Sequence, residues 1–190
     1  MRVVICVFAA AAVLAACGGG SKKTATPIAS APARATVPAP AACPTPPPGP
    51  PSAVQYQAAA TSQTQSVLNG VQVTTANCSD IATFTFVGPD VPGYEAKYVP
   101  ATLACGSGNP VTTAGPAQLT LRFKPAVGHD ANGNATVSPL SLAPNFTSIK
   151  ELKSTCDFEG VVAWVIGNEL RYYAVTTAQS PSRIIVEVYQ

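Results

Sequence analysis

Charge is scarce in this chain and histidine almost absent. Only 11% of the 190 residues are Asp, Glu, Lys or Arg, and His129 is the one imidazole. No two cysteines stand in a CxxC spacing, so the usual zinc ligand sets and thioredoxin-like exchange are both excluded. A Gly-X-Ser-X-Gly nucleophile elbow is missing as well. The formal net charge of +2 hides a split. From Ala53 onward seven Lys or Arg stand against nine Asp or Glu. A domain near −2 with no basic run has no electrostatic footprint for nucleic acid. No apolar run reaches the roughly 20 residues of a membrane-spanning helix. Nothing calls for a metal or a cofactor.

What is present begins at the first residue. Met1-Arg2 is a short cationic start, Val3 to Val13 is apolar, and Leu14-Ala15-Ala16-Cys17-Gly18 closes the run. This is the order of a secretory signal peptide over 1–16. Its end resembles the bacterial lipobox, whose cysteine is acylated and becomes the first residue after cleavage. Cys17 is therefore the expected lipidation site. The lipid bilayer is then a partner through its acyl chains, each buried methylene contributing about 0.8 kcal/mol. The expected location is the extracytoplasmic face of the cell membrane.

Residues 17–52 contain most of the prolines, ending in Pro46-Pro47-Pro48-Gly49-Pro50-Pro51. Repeated proline favours extended polyproline geometry without internal hydrogen bonds, so this stretch reads as a disordered, semi-rigid Pro/Ala-rich spacer. Residues 53–190 are the right size for one domain with its own core. Cys6 leaves with the signal peptide. Cys43, Cys78, Cys105 and Cys156 remain, and in an oxidising compartment they allow three disulfide pairings that sequence does not rank.

The domain reads as strands. Ala82, Phe84 and Phe86 alternate with Thr83 and Thr85, and Leu119, Leu121 and Phe123 with Thr120, Arg122 and Lys124. Ile184, Val186 and Val188 repeat the pattern. Alternation of this kind marks a strand with one buried face. Less regular strands are expected at Val71–Thr75, Tyr94–Val99, Ser148–Lys153, Val161–Val165 and Arg171–Thr176. Gly167-Asn168 reads as a tight hairpin between two of them. Ser52 to Val67 is either a short helix or further linker. Eight or nine short strands in one small domain predict an all-β sandwich.

Several segments then resemble one family. They are Phe84-Thr85-Phe86, Pro92 to Val99, Gly115 to Phe123, Ala126 to Asp130, Phe158 to Gly167 and Pro181 to Val188. In this order they are similar to the AMIN-like domain found in lipoproteins of actinobacteria, itself similar to the β-sandwich AMIN domain that targets periplasmic amidases and secretion proteins. The resemblance implies a β-sandwich, a role in contacting the cell envelope, and no catalysis. One region departs. Family members usually carry a Gly-Arg-His-X-Gly-Phe-Asp-Arg-like run before the second strand, where this chain has Thr74 to Ala82. Cys78 in that region suggests a local disulfide.

The candidate sites are few. His129-Asp130 in a loop could form a base oriented by a carboxylate, but catalysis needs a converging nucleophile or metal. Asp130, Asn132 and Asn134 alternate oxygen ligands, without the glycine and glutamate positions of a calcium loop. Asp157, Glu159 and Glu169 are the carboxylates that a glycan hydrolase would need as a pair. Glu159 is also expected to meet Arg183. Adjacent Tyr172 and Tyr173 must face opposite ways, one toward the core and the other available for a ligand. The expected function is a lipid-anchored module binding an envelope component, peptidoglycan being one. The alternatives are an accessory lipoprotein with a protein partner at the membrane, and a cell-wall hydrolase.

Overall fold

Burial alternates residue by residue over 80–87, 118–124 and 182–189 and less regularly in the other long strands, and two facing sheets result. The computed structural model describes residues 43–88 and 90–190. The leader, Cys17 and most of the Pro/Ala-rich spacer lie outside the described residues. Thirteen strands are formed: β1 (Gln55–Ala58), β2 (Ser66–Thr75), β3 (Ser79–Val87), β4 (Gly93–Val99), β5 (Thr102–Leu103), β6 (Pro110–Val111), β7 (Ala117–Lys124), β8 (Ala126–Val127), β9 (Ser141–Leu142), β10 (Ile149–Phe158), β11 (Val161–Asn168), β12 (Tyr173–Ala178) and β13 (Ser182–Tyr189). Four of these have only two residues, too short for any alternation to register in the sequence. Eight of the other nine fall on expected strands; the ninth, β1, does not.

A six-stranded sheet runs β1-β4-β7-β11-β10-β9 and a five-stranded sheet runs β12-β13-β3-β2-β8. β5 and β6 form a separate hairpin. Every pairing is antiparallel except β2 with β8. The inner faces meet through aromatic side chains. Phe84 of the five-stranded sheet lies 5.0 Å, centroid to centroid, from Phe123 of the six-stranded sheet, and 6.0 Å from Trp164. Phe86 also meets Phe123, at 5.3 Å. All four rings are buried. Each such side chain contributes about 2–3 kcal/mol of transfer free energy, so this cluster holds the layers together.

Two expectations change here. Ser52 to Val67 is neither a helix nor plain linker: a 3-10 turn spans Pro51–Ala53, and β1 then pairs with β4 from Gln55↔Lys97 to Ala58↔Tyr94. The backbone of β4 supplies the partners that a polar-rich helix would have lacked. Nor does Gly167-Asn168 make a hairpin. Both residues belong to β11, opposite Gln118 and Ala117 of β7, and β12 belongs to the other sheet. The tight hairpin instead joins β10 to β11 at Glu159-Gly160, where both residues have positive φ (49° and 73°), as a two-residue primed turn requires.

The disulfides are Cys43–Cys78 and Cys105–Cys156. The first ties residue 43 to the β2–β3 turn. The second ties the β5–β6 hairpin to β10. On the inner side, Tyr173 is fully buried and its hydroxyl lies 2.8 Å from the carbonyl oxygens of both Val54 and Ala96, locking the β1 segment against β4. Asp80, also fully buried, accepts the N–H groups of Ser148 (2.6 Å) and Ile149 (2.9 Å). It joins β3 to the start of β10 across the two sheets.

Candidate functional site

The alternation that buries Leu119, Leu121 and Phe123 sends Arg122 and Lys124 to the outer face of the six-stranded sheet. Their neighbours on that face are Glu95 and Lys97 of β4, opposite Arg122 and Thr120. Val161 and Ala163 of β11 continue the floor, Ala163 being the cross-strand partner of Arg122. The segment from Pro100 to Pro116, which carries β5 and β6, folds back over this face and forms a wall.

That wall is fixed from several sides. The Cys105–Cys156 disulfide and the Cys105 N–H bond to the Thr155 carbonyl (3.0 Å) hold its tip. The Thr102 N–H donates to the Gln118 side-chain oxygen (2.7 Å), and the Gln118 amide donates to the Val111 carbonyl (2.8 Å). Lys153 Nζ donates to the Thr112 carbonyl (2.8 Å), and Glu151 accepts the Ala114 N–H (2.8 Å). Burial alone would raise the Glu151 carboxyl, yet the Ala114 N–H and Lys153, 2.9 Å away, hold it below its ordinary value. Beneath the wall, outward-facing Val165 is fully buried. Gly167 has no side chain to obstruct the passage of Thr113 and Ala114.

Wall and sheet enclose an open groove of about 530 Å³. A second depression of about 410 Å³, bounded by Ala58–Ala60 and Pro125, shares Glu95, Arg122 and Lys124 with it. The two form one elongated surface with cations at the middle. Lys97 is neutralised by Glu95 at 2.5 Å. Arg122 and Lys124 form no salt bridge among the described residues. Leu103 (58% exposed) and Phe158 (59% exposed) stand at the groove, and Glu159 is at its rim.

Of the residues singled out from sequence, Glu159 stands at the rim and Cys105 and Cys156 hold the wall, while the others lie elsewhere. His129 does not act with Asp130: its Nδ1 is 2.7 Å from Asp157, whose other oxygen accepts the Gly128 N–H at 2.9 Å. Asp130 turns back on its own loop, accepting the N–H groups of Asn132 and Asn134 and the Asn134 amide. Those bonds, the Asn134 side chain first, hold its carboxyl below the ordinary range. The carboxylate is thus committed to a turn. Glu159 and Glu169 flank opposite ends of β11, roughly 25 Å or more apart at about 3.3 Å per residue, so they cannot act as a hydrolytic pair. No Glu159–Arg183 bridge forms. Arg183 belongs to β13 of the five-stranded sheet, opposite Thr85 and Ala178, and Glu159 turns between strands of the other sheet. Among the described residues no three His, Cys, Asp or Glu converge to hold a metal.

Of the tyrosine pair, Tyr173 is the core member. Burial, then the neighbouring Tyr98 and Tyr56, push its hydroxyl well above the ordinary tyrosine value. Tyr172 is half-buried and its hydroxyl donates to the Gly49 carbonyl. Neither tyrosine lines the groove. Arg122, Lys124, Leu103 and Phe158 went unnoticed as site residues in sequence, although the β7 alternation already placed Arg122 and Lys124 on one face.

A family profile for the AMIN-like domain matches residues 66–190, from the first residue of β2 to the C-terminus. The chain belongs to the AMIN-like family. No curated protein and no solved structure matches it significantly. AMIN-like domains are non-catalytic binding modules, so the domain binds and does not catalyse. Family identity gives it a general role in contacting the cell envelope.

Proposed function

We propose that this chain is a lipid-anchored extracytoplasmic lipoprotein, of the kind known in actinobacteria, whose AMIN-like domain binds peptidoglycan. Cleavage after Ala16 and acylation of Cys17 attach it to the membrane. Residues 17–52 act as spacer, and the domain from Ala53 reaches the wall. The observation that carries the binding role is the open groove on the six-stranded sheet of an AMIN-like domain. Its wall is fixed in advance by a disulfide and by hydrogen bonds, which lowers the ordering cost of binding.

Two measurements test this. The full-length chain in mild detergent should co-sediment saturably with insoluble peptidoglycan and be retained at moderate salt. No retention of the folded protein would redirect the assignment to a protein partner at the membrane. Separately, a palmitate label should be incorporated in a bacterial host and lost with Cys17→Ser; labelling that persists in the variant would refute the anchor.

A further inference from the structure

We propose that the groove binds a short extended peptide bearing free carboxylates, which Arg122 and Lys124 receive while Phe158 and Leu103 cover its small apolar side chains. This rests on the peptidoglycan reading above, where such a peptide is the stem peptide that branches from the glycan.

The charge pattern selects the ligand. Lys97 already has its carboxylate in Glu95, 2.5 Å away, whereas the side chains of Arg122 and Lys124 have no salt-bridge partner among the described residues. As next-but-one residues of β7 they point the same way, about 7 Å apart along the strand. The arginine fork receives one carboxylate bidentately, and the lysine meets a second as a point charge. Glu159 at the rim offers a place for an ammonium group, so a peptide carrying both signs is oriented.

The shape selects it too. Two depressions joined over Arg122 and Lys124 accommodate something elongated. Phe158 and Leu103 are the two most exposed large apolar side chains of the described residues, and both stand at this one groove. Val87, Leu140 and Leu170 are exposed as well, each away from the groove; what marks this place as a contact surface is two exposed apolar side chains beside two free cations. An uncharged sugar strand would ask instead for a flat aromatic ring with a polar edge. Trp164 and Tyr173 are buried, Tyr172 is bonded to Gly49 away from the groove, and Tyr94, at the second depression, is half-buried against the core.

The test compares the wild-type full-length chain with R122E/K124E and with F158A in the peptidoglycan sedimentation assay. Free stem tetrapeptide and chitotetraose, a sugar without carboxylates, are the competitors. The charge reversal should weaken retention at least tenfold and F158A several-fold. The tetrapeptide should displace wild type and chitotetraose should not. If R122E/K124E is retained as well as wild type, or if only chitotetraose competes, the groove assignment is wrong while wall binding stands. Absence of wild-type retention removes both. Thermal melts establish that the variants fold, and R122Q/K124Q replaces the reversal if it does not.

Discussion

Gly167→Ala is the sharpest perturbation of the groove wall. A Cβ at this position would overlap the Ala114 carbonyl oxygen and stand 2.6 Å from both Thr113 Cβ and its hydroxyl oxygen. Ordinary carbon contacts lie near 3.5 Å, so the wall backbone must retreat by about 1 Å. The Cys105–Cys156 bond prevents it from leaving, and the strain falls on the Ala114–Glu151 and Lys153–Thr112 hydrogen bonds. Overpacking of this kind costs about 1–3 kcal/mol. At roughly 2–4 °C per kcal/mol for a domain of this size, the melting temperature should fall by about 2–12 °C. Gly70→Ala is the control, because its Cβ would meet only Thr85 side-chain atoms, at 3.5 Å and 3.7 Å, and should be neutral or slightly stabilising. Thermal denaturation followed by circular dichroism reads both. Equal melting temperatures for the two variants would refute the claim that Thr113 and Ala114 pack on the sheet at Gly167.

Further outcomes follow from buried polar groups. Asp80→Ala strands the Ser148 and Ile149 N–H groups and should cost about 3 kcal/mol, read by urea denaturation; a loss under 1 kcal/mol would mean that another acceptor replaces the carboxylate. Tyr98 and Tyr173 have hydroxyls raised above the ordinary value, chiefly by burial. Their contribution to stability is intact below the unfolded tyrosine value, near 10, and is lost as pH rises beyond it. Spectrophotometric titration should therefore show Tyr98, Tyr173 and Tyr189 ionising above the ordinary tyrosine range, Tyr173 last. Glu151 is lowered, so its contribution is present above the unfolded glutamate value and is lost as pH falls through the folded one. The protection factor of the Ala114 amide, with the intrinsic pH dependence of exchange divided out, should fall at acid pH, with no such fall in Glu151→Gln.

The eight long strands were legible because burial on one face leaves a period-two trace that survives without any alignment. β7 is the clearest case: Leu119, Leu121 and Phe123 announce the core and, by the same alternation, Arg122 and Lys124 the groove floor. β1 was illegible since a short edge strand with only Tyr56 turned inward carries no pattern of its own. It is held by the backbone of β4 and by the Tyr173 hydroxyl, more than a hundred residues away in sequence. The wall was hidden for a related reason. Its anchors at Gln118, Glu151, Lys153 and Cys156 come from two strands distant in sequence, β7 and β10, and only the disulfide left a mark in composition. The His129–Asp157 pair shows the converse error, in that adjacency suggested Asp130 while the chain fold supplied a different carboxylate.

Amide hydrogen exchange of the full-length chain, with and without solubilised peptidoglycan, tests the central claim most directly. Binding in the groove predicts slowed exchange in Gly93–Val99, Ala117–Lys124 and the Phe158–Val161 turn, with the five-stranded sheet unchanged. Protection confined to the five-stranded sheet, or none on addition of ligand, would contradict the assignment.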